Sequence, residues 1–137
     1  MTQSLGFEVA LEESYEAGIE RVTEALSKEG FGVLTRIDVR TTLRQKLGKE
    51  FRPYVILGAC NPELAHRSLS RNAEVGLMLP CNVTVEAADG GGSVVRIADP
   101  AMLLSAGGLG DDPALADVAK DAEARLRRVA RALGGAA

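Results

Sequence analysis

The run Tyr54-Val55-Ile56-Leu57-Gly58-Ala59 is continuously apolar, and the next four residues are Cys60-Asn61-Pro62-Glu63. An unbroken apolar stretch of this length is the pattern of a strand covered on both faces, and Pro53 fits only at its beginning because it cannot donate to a ladder. Asn61 can then cap a helix, Pro62 is pre-organised for the first turn, and Glu63 complements the positive end of the helix dipole. A central strand that becomes a helix within two residues commits the chain to mixed α and β structure, with Cys60 at the junction.

The flanking sequence repeats that alternation of periods. Gly6–Leu11 alternates well enough for a first strand, and Ser14 offers an N-cap. Tyr15, Ile19, Val22 and Leu26 then recur every three or four residues, and Gly30 suits a left-handed position past the helix end. Phe31, Val33, Thr35, Ile37 and Val39 fall on alternate positions and predict a second strand. Residues 41–49 carry Leu43 and Leu47 four apart and predict a short helix closed by Gly48. After Asn72, Val75-Gly76-Leu77-Met78-Leu79 reads as an apolar approach to the next strand, broken by Pro80 immediately before Cys81. Val83 and Val85, a glycine-rich turn at residues 89–92, and Val95 and Ile97 make a hairpin. The stretch at residues 107–110 is a flexible joint. Beyond it Asp112 and Pro113 start a long helix with Leu115, Val118, Ala122, Leu126, Val129 and Leu133 on one line.

These elements predict a two-layer α+β domain: a mixed, mostly antiparallel sheet of four or five strands with helices packed against it. Residues 1–106 form that unit, and residues 107–137 a C-terminal helix resting on the same domain or on a dimer partner. A chain of 137 residues suits one core rather than two. With a net charge of −3 and only five aromatic residues it lacks the basic balance and the stacking platforms of a nucleic-acid binder. Residues 1–9 lack a signal-peptide pattern, and no apolar run approaches the roughly 20 residues a transmembrane helix needs, so the expectation is a soluble, cytoplasmic protein without membrane partners. In such a compartment its two cysteines are expected as free thiols.

Chemistry concentrates in the paired Cys60-Asn61 and Cys81-Asn82 steps. At a helix N-terminus Cys60 is placed for thiolate character, and if the strands carrying the two cysteines are neighbours, their sulfurs and His66 converge as a site for Cu(I) or Zn(II). The competing reading makes both cysteines small buried hydrophobes. His66, the one histidine, is the sole candidate for an imidazole acid or base; it also fits a solvent-facing position on its helix. Glu63 beside Cys60 is either a proton acceptor or an ordinary first-turn acid. The glycine clusters lack both the dinucleotide fingerprint and the P-loop lysine, so they read as turns. Arg40, Arg44, Lys46, Lys49 and Arg52 read as a solvated face, and Arg125, Arg127, Arg128 and Arg131 as complements of a helix C-terminus.

Gly30-Phe31-Gly32-Val33-Leu34, residues 54–62, Glu63-Leu64-Ala65-His66, Gly76-Leu77-Met78-Leu79-Pro80-Cys81-Asn82-Val83 and Asp99-Pro100, in this order, resemble the DUF302 family of small bacterial and archaeal proteins. The resemblance implies a layered α+β fold of the TT1751-like kind and homodimers, and it implies no particular activity. The resulting expectation is a homodimeric domain binding a small ligand or soft metal near Cys60, His66 and Cys81, with Asn61, Pro62, Glu63 and Asn82 in support. The alternatives are a thiol-dependent enzyme or redox sensor using Cys60, and a purely structural interaction module.

Overall fold

A computed structural model describes residues 5–135; Met1–Ser4, part of the segment read against a signal sequence, and the last two residues lie outside the described residues. Five strands, β1 (Gly6–Leu11), β2 (Gly32–Asp38), β3 (Tyr54–Cys60), β4 (Cys81–Ala87) and β5 (Ser93–Ala98), form one sheet in the order β1-β5-β4-β3-β2. Every pairing is antiparallel, so the sheet is not mixed. Helices α1 (Tyr15–Lys28), α2 (Val39–Leu47), α3 (Pro62–Arg71), α4 (Pro100–Ala106) and α5 (Pro113–Ala132) complete the chain with a 3-10 helix at Ala73–Met78.

Local chemistry accounts for most boundaries. Ser14, Asp38, Asn61, Asp99 and Asp112 each accept a backbone N–H in the first turn of the following helix, so an orphan donor at each start is satisfied. Three of these caps precede a proline at the first helical position. Gly30, at φ +84°, turns the chain from α1 into β2, in a region where an L side chain is strained.

Alternate strand residues Val9, Leu11, Val55, Leu57, Val83, Val85, Val95 and Ile97 are buried together with Ile19, Val22 and Leu26 of α1 and Val118, Ala122, Leu126 and Val129 of α5. The C-terminal helix thus packs on its own sheet. Arg96 binds Glu8 at 2.8 Å and also Glu86, all three on the intervening positions of their strands. β3 differs from its expected role: Ile56 is half-buried between fully buried Val55 and Leu57, and the strand lies second from the edge, with β4 at the centre. β2 is one of the two edge strands, with β1 at the other edge, and is mostly exposed.

Two further differences set up the site. Residues 73–78 wind into a 3-10 helix instead of extending toward β4, with Asn72 Oδ1 accepting the Glu74 N–H at 2.9 Å. Between β5 and the glycine joint the chain forms α4. These pieces bury Val75, Leu104, Leu115 and Ala119, with Met78, Leu79, Ala101 and Leu109 against them, as a second apolar cluster apart from the main core.

Candidate functional site

The seam between the two clusters is not filled. A cavity of about 80 Å³ lies there, with Phe31, Ala59, Leu64 and Ala122 on the main-core side and Val75, Met78, Leu104 and Ala119 on the other. Its wall is almost entirely apolar. Protein interiors pack as densely as organic crystals, so a void of this size marks a place where two packed units meet without closing. For scale, an engineered apolar cavity of roughly 150 Å³ stays dry and binds benzene.

Both cysteines line this cavity, and both are free thiols. Cys60 ends β3, Cys81 begins β4, and the β3–β4 register sets Ala59 opposite Cys81, which makes the two cysteines neighbours across the pair. Pro80 fixes the approach: Gly58 lies beneath it, and a Cβ there would collide with Pro80 Cγ and Thr35 Oγ1. Burial first, and the nearby Cys60 second, push the Cys81 thiol up from its ordinary 9.0 to about 11, so it is protonated at neutral pH.

His66 is elsewhere. Leu64 and Ser68, four apart, face inward and are buried, whereas His66 is exposed on the opposite side of α3 and does not line the cavity. Among the described residues no three His, Cys, Asp or Glu side chains gather as a metal-holding group. The expected set of Cys60, His66 and Cys81 is therefore not brought together; two of its members are. Of the supporting residues only Asn61 reaches the cavity, and its polar atoms are committed. Oδ1 accepts the Leu64 N–H at 3.2 Å and Nδ2 donates to the Glu29 carbonyl at 3.5 Å. The Leu64 N–H in the first turn of α3 thus goes to Asn61 and not to Cys60. Pro62 and Glu63 are exposed on the first turn of α3, and Asn82 is exposed on β4.

The arginine clusters have structural partners. Arg125 Nη1 donates to the Glu29 carbonyl at 3.2 Å and Arg128 Nε to Glu29 Oε1 at 3.0 Å, tying α5 to the end of α1. Arg127 lies over the Phe7 ring, 4.6 Å from its centre. α2 buries none of its residues, so Arg40, Arg44 and Lys46 are carried on a solvated helix.

Fold and site together define a two-layer α+β domain with a thiol-bearing apolar cavity at one end of its sheet. The profile of the family described as "Domain of unknown function DUF302" matches residues 7–133, and the chain belongs to this family. It is similar to the solved structure of an "uncharacterized conserved protein DUF302 from Bacillus stearothermophilus": 37% identity, 96% of this chain and 98% of that chain covered, TM-score 0.80. No curated protein matches the chain. Among the described residues no helix is long and apolar enough to cross a membrane.

Proposed function

We propose that this chain is a binding domain whose ligand places a small apolar group in the cavity between the main core and the second cluster, against Cys60 and Cys81. The observation that carries this reading is an unfilled space, walled by apolar side chains from three helices and the sheet end, with both cysteines among the residues that line it. Apolar walls supply affinity through burial, and the few polar groups at the sheet end supply orientation. Xenon is a suitable probe because it needs only volume and apolar walls. Methyl resonances of Leu64, Leu104 and Val118 are expected to shift saturably under xenon pressure, and Ala119→Leu, which fills the cavity, to suppress the shifts. Shifts that are absent, or unchanged in the filled variant, contradict the reading.

A second copy is the partner we propose for the β2 edge. Leu34, Ile37, Leu47 and Phe51 are exposed along β2, α2 and the following loop, more apolar surface than one edge normally leaves to water. Antiparallel pairing of two β2 strands centred on Thr35, the middle of the strand, sets Val33 of each copy against Ile37 of the other, a self-complementary arrangement. Sedimentation at tens of micromolar is expected to show dimers of the wild type and folded monomers of Ile37→Lys. A wild type that remains monomeric removes this proposal.

A further inference from the structure

The net charge of −3 conceals a division of the chain. Residues 34–52 carry six of the sixteen lysines and arginines but only two of the nineteen acids, a local +4 against −7 for the remainder. Both of those acids are engaged: Asp38 caps α2 by accepting the Thr41 N–H at 3.0 Å, and Glu50 pairs with Arg44 at 3.3 Å. Arg52 pairs with Glu86 at 3.6 Å, whereas Arg40, Lys46 and Lys49 are exposed and make no ion pair among the described residues. Apolar side chains stand exposed in the same segment, Leu47 at 64% and Phe51 at 43%. Arg40, Arg44 and Leu47, at spacings of four and three, share one face of α2, and the left-handed Gly48 then turns the chain toward Lys49 and Phe51. The Phe51 ring meets Tyr54 edge to face, with ring centres 6.1 Å apart. Leu34 and Ile37 belong to β2 and its proposed pairing; Leu47 and Phe51 lie beyond the strand.

We infer that α2 and the turn after it are a docking surface for an anionic lipid membrane. Charge selects the partner. This surface is the cationic part of an otherwise acidic chain, so an anionic bilayer attracts it while repelling the remainder on balance, which orients the molecule. Shape selects among anionic partners. α2 buries none of its residues, so it is a ridge with no recess of its own for a peptide or a folded protein, whereas a bilayer yields around a ridge. The apolar side chains separate a bilayer from a nucleic acid. Leu47 and Phe51 gain by entering the boundary between headgroups and acyl chains, and a phosphate backbone offers them no comparable burial. Arginine and lysine stems lie along that boundary with their charged heads among the lipid phosphates. The attachment is peripheral and reversible, and it is independent of the cavity and of pairing along β2.

The test is flotation of the full-length protein with phosphatidylcholine vesicles prepared with and without phosphatidylserine. The wild type is expected to float with the phosphatidylserine vesicles at low ionic strength, to stay in solution with phosphatidylcholine alone, and to be released by salt. Lys46→Gln and Lys49→Gln are each expected to weaken partition about fivefold, and Leu47→Ser and Phe51→Ser about tenfold. All four variants are expected to keep the wild-type melting temperature, because none of these side chains is buried. Lys28→Gln, at the exposed end of α1, is expected to bind as the wild type does. Wild type that stays in solution with both vesicles overturns the inference, as does a loss in Lys28→Gln equal to that in Lys46→Gln. Retention on a short DNA duplex without binding to phosphatidylserine vesicles assigns the surface to nucleic acid and overturns it too.

Discussion

Burial of the Cys81 thiol has a consequence for how stability depends on pH. This thiol is held protonated to about pH 11 in the fold, against an ordinary value of 9.0. A raised folded value means that the native state keeps a proton that the unfolded chain has released. The contribution is complete below about pH 9 and is lost as pH rises through 11, a change of about 2 to 3 kcal/mol. Urea unfolding at pH 8 and pH 11 is expected to show a larger loss in the wild type than in Cys81→Ala by about that amount; equal losses would place Cys81 in a solvated setting. Thr84 offers a second residue-scale check. Its Oγ1 is buried in the central strand without a hydrogen-bond partner. Replacing an unsatisfied hydroxyl by a methyl of similar shape removes a desolvation penalty, so Thr84→Val is expected to stabilise by about 1 kcal/mol in denaturant titration, and a destabilised variant would contradict this. The position of His66 was readable at this scale. Residues two apart on a helix are separated by about 200°, so once Leu64 and Ser68 are known to face inward, His66 faces out. Met78 was not readable, because no regular period carries through a 3-10 turn.

At the scale of elements, α5 joins the two apolar clusters: Leu115 and Ala119 belong to the second, Leu126 and Val129 to the first. Truncating fully buried Leu126 to Ala is expected to cost about 2 to 5 kcal/mol, whereas losing the Arg127–Glu123 pair, at 3.4 Å on the surface, costs no more than about 1 kcal/mol. Comparable effects of the two changes would mean that α5 is held by charge rather than by packing. Helices announced by a cap and a 3.6-residue period were legible, as were strands announced by alternation, because those signals are local. α4 carries the same start as α3 and α5, Asp99-Pro100 beside Asn61-Pro62 and Asp112-Pro113, yet seven residues are too few for a period to establish. The 3-10 helix hid for a related reason: an apolar run such as Val75–Leu79 has no phase that separates extended from helical backbone. The place of β3 in the sheet depends on which strands pair, and pairing is a non-local choice.

On the scale of the molecule, the sheet with α1 and most of α5 is a closed core, and α4, the 3-10 helix and the start of α5 form a smaller unit laid across one end of it. The cavity exists because these two bodies meet there. Its two cysteines lie 21 positions apart in sequence, and only the β3–β4 register brings them side by side, which is why the sequence marks each cysteine but not their shared wall. The central claim is that this wall surrounds an apolar binding space, and crystals pressurised with xenon test it most directly. The account predicts one ordered xenon atom among Leu64, Leu104 and Ala119. A seam that admits no xenon, or one filled by ordered water, would contradict it.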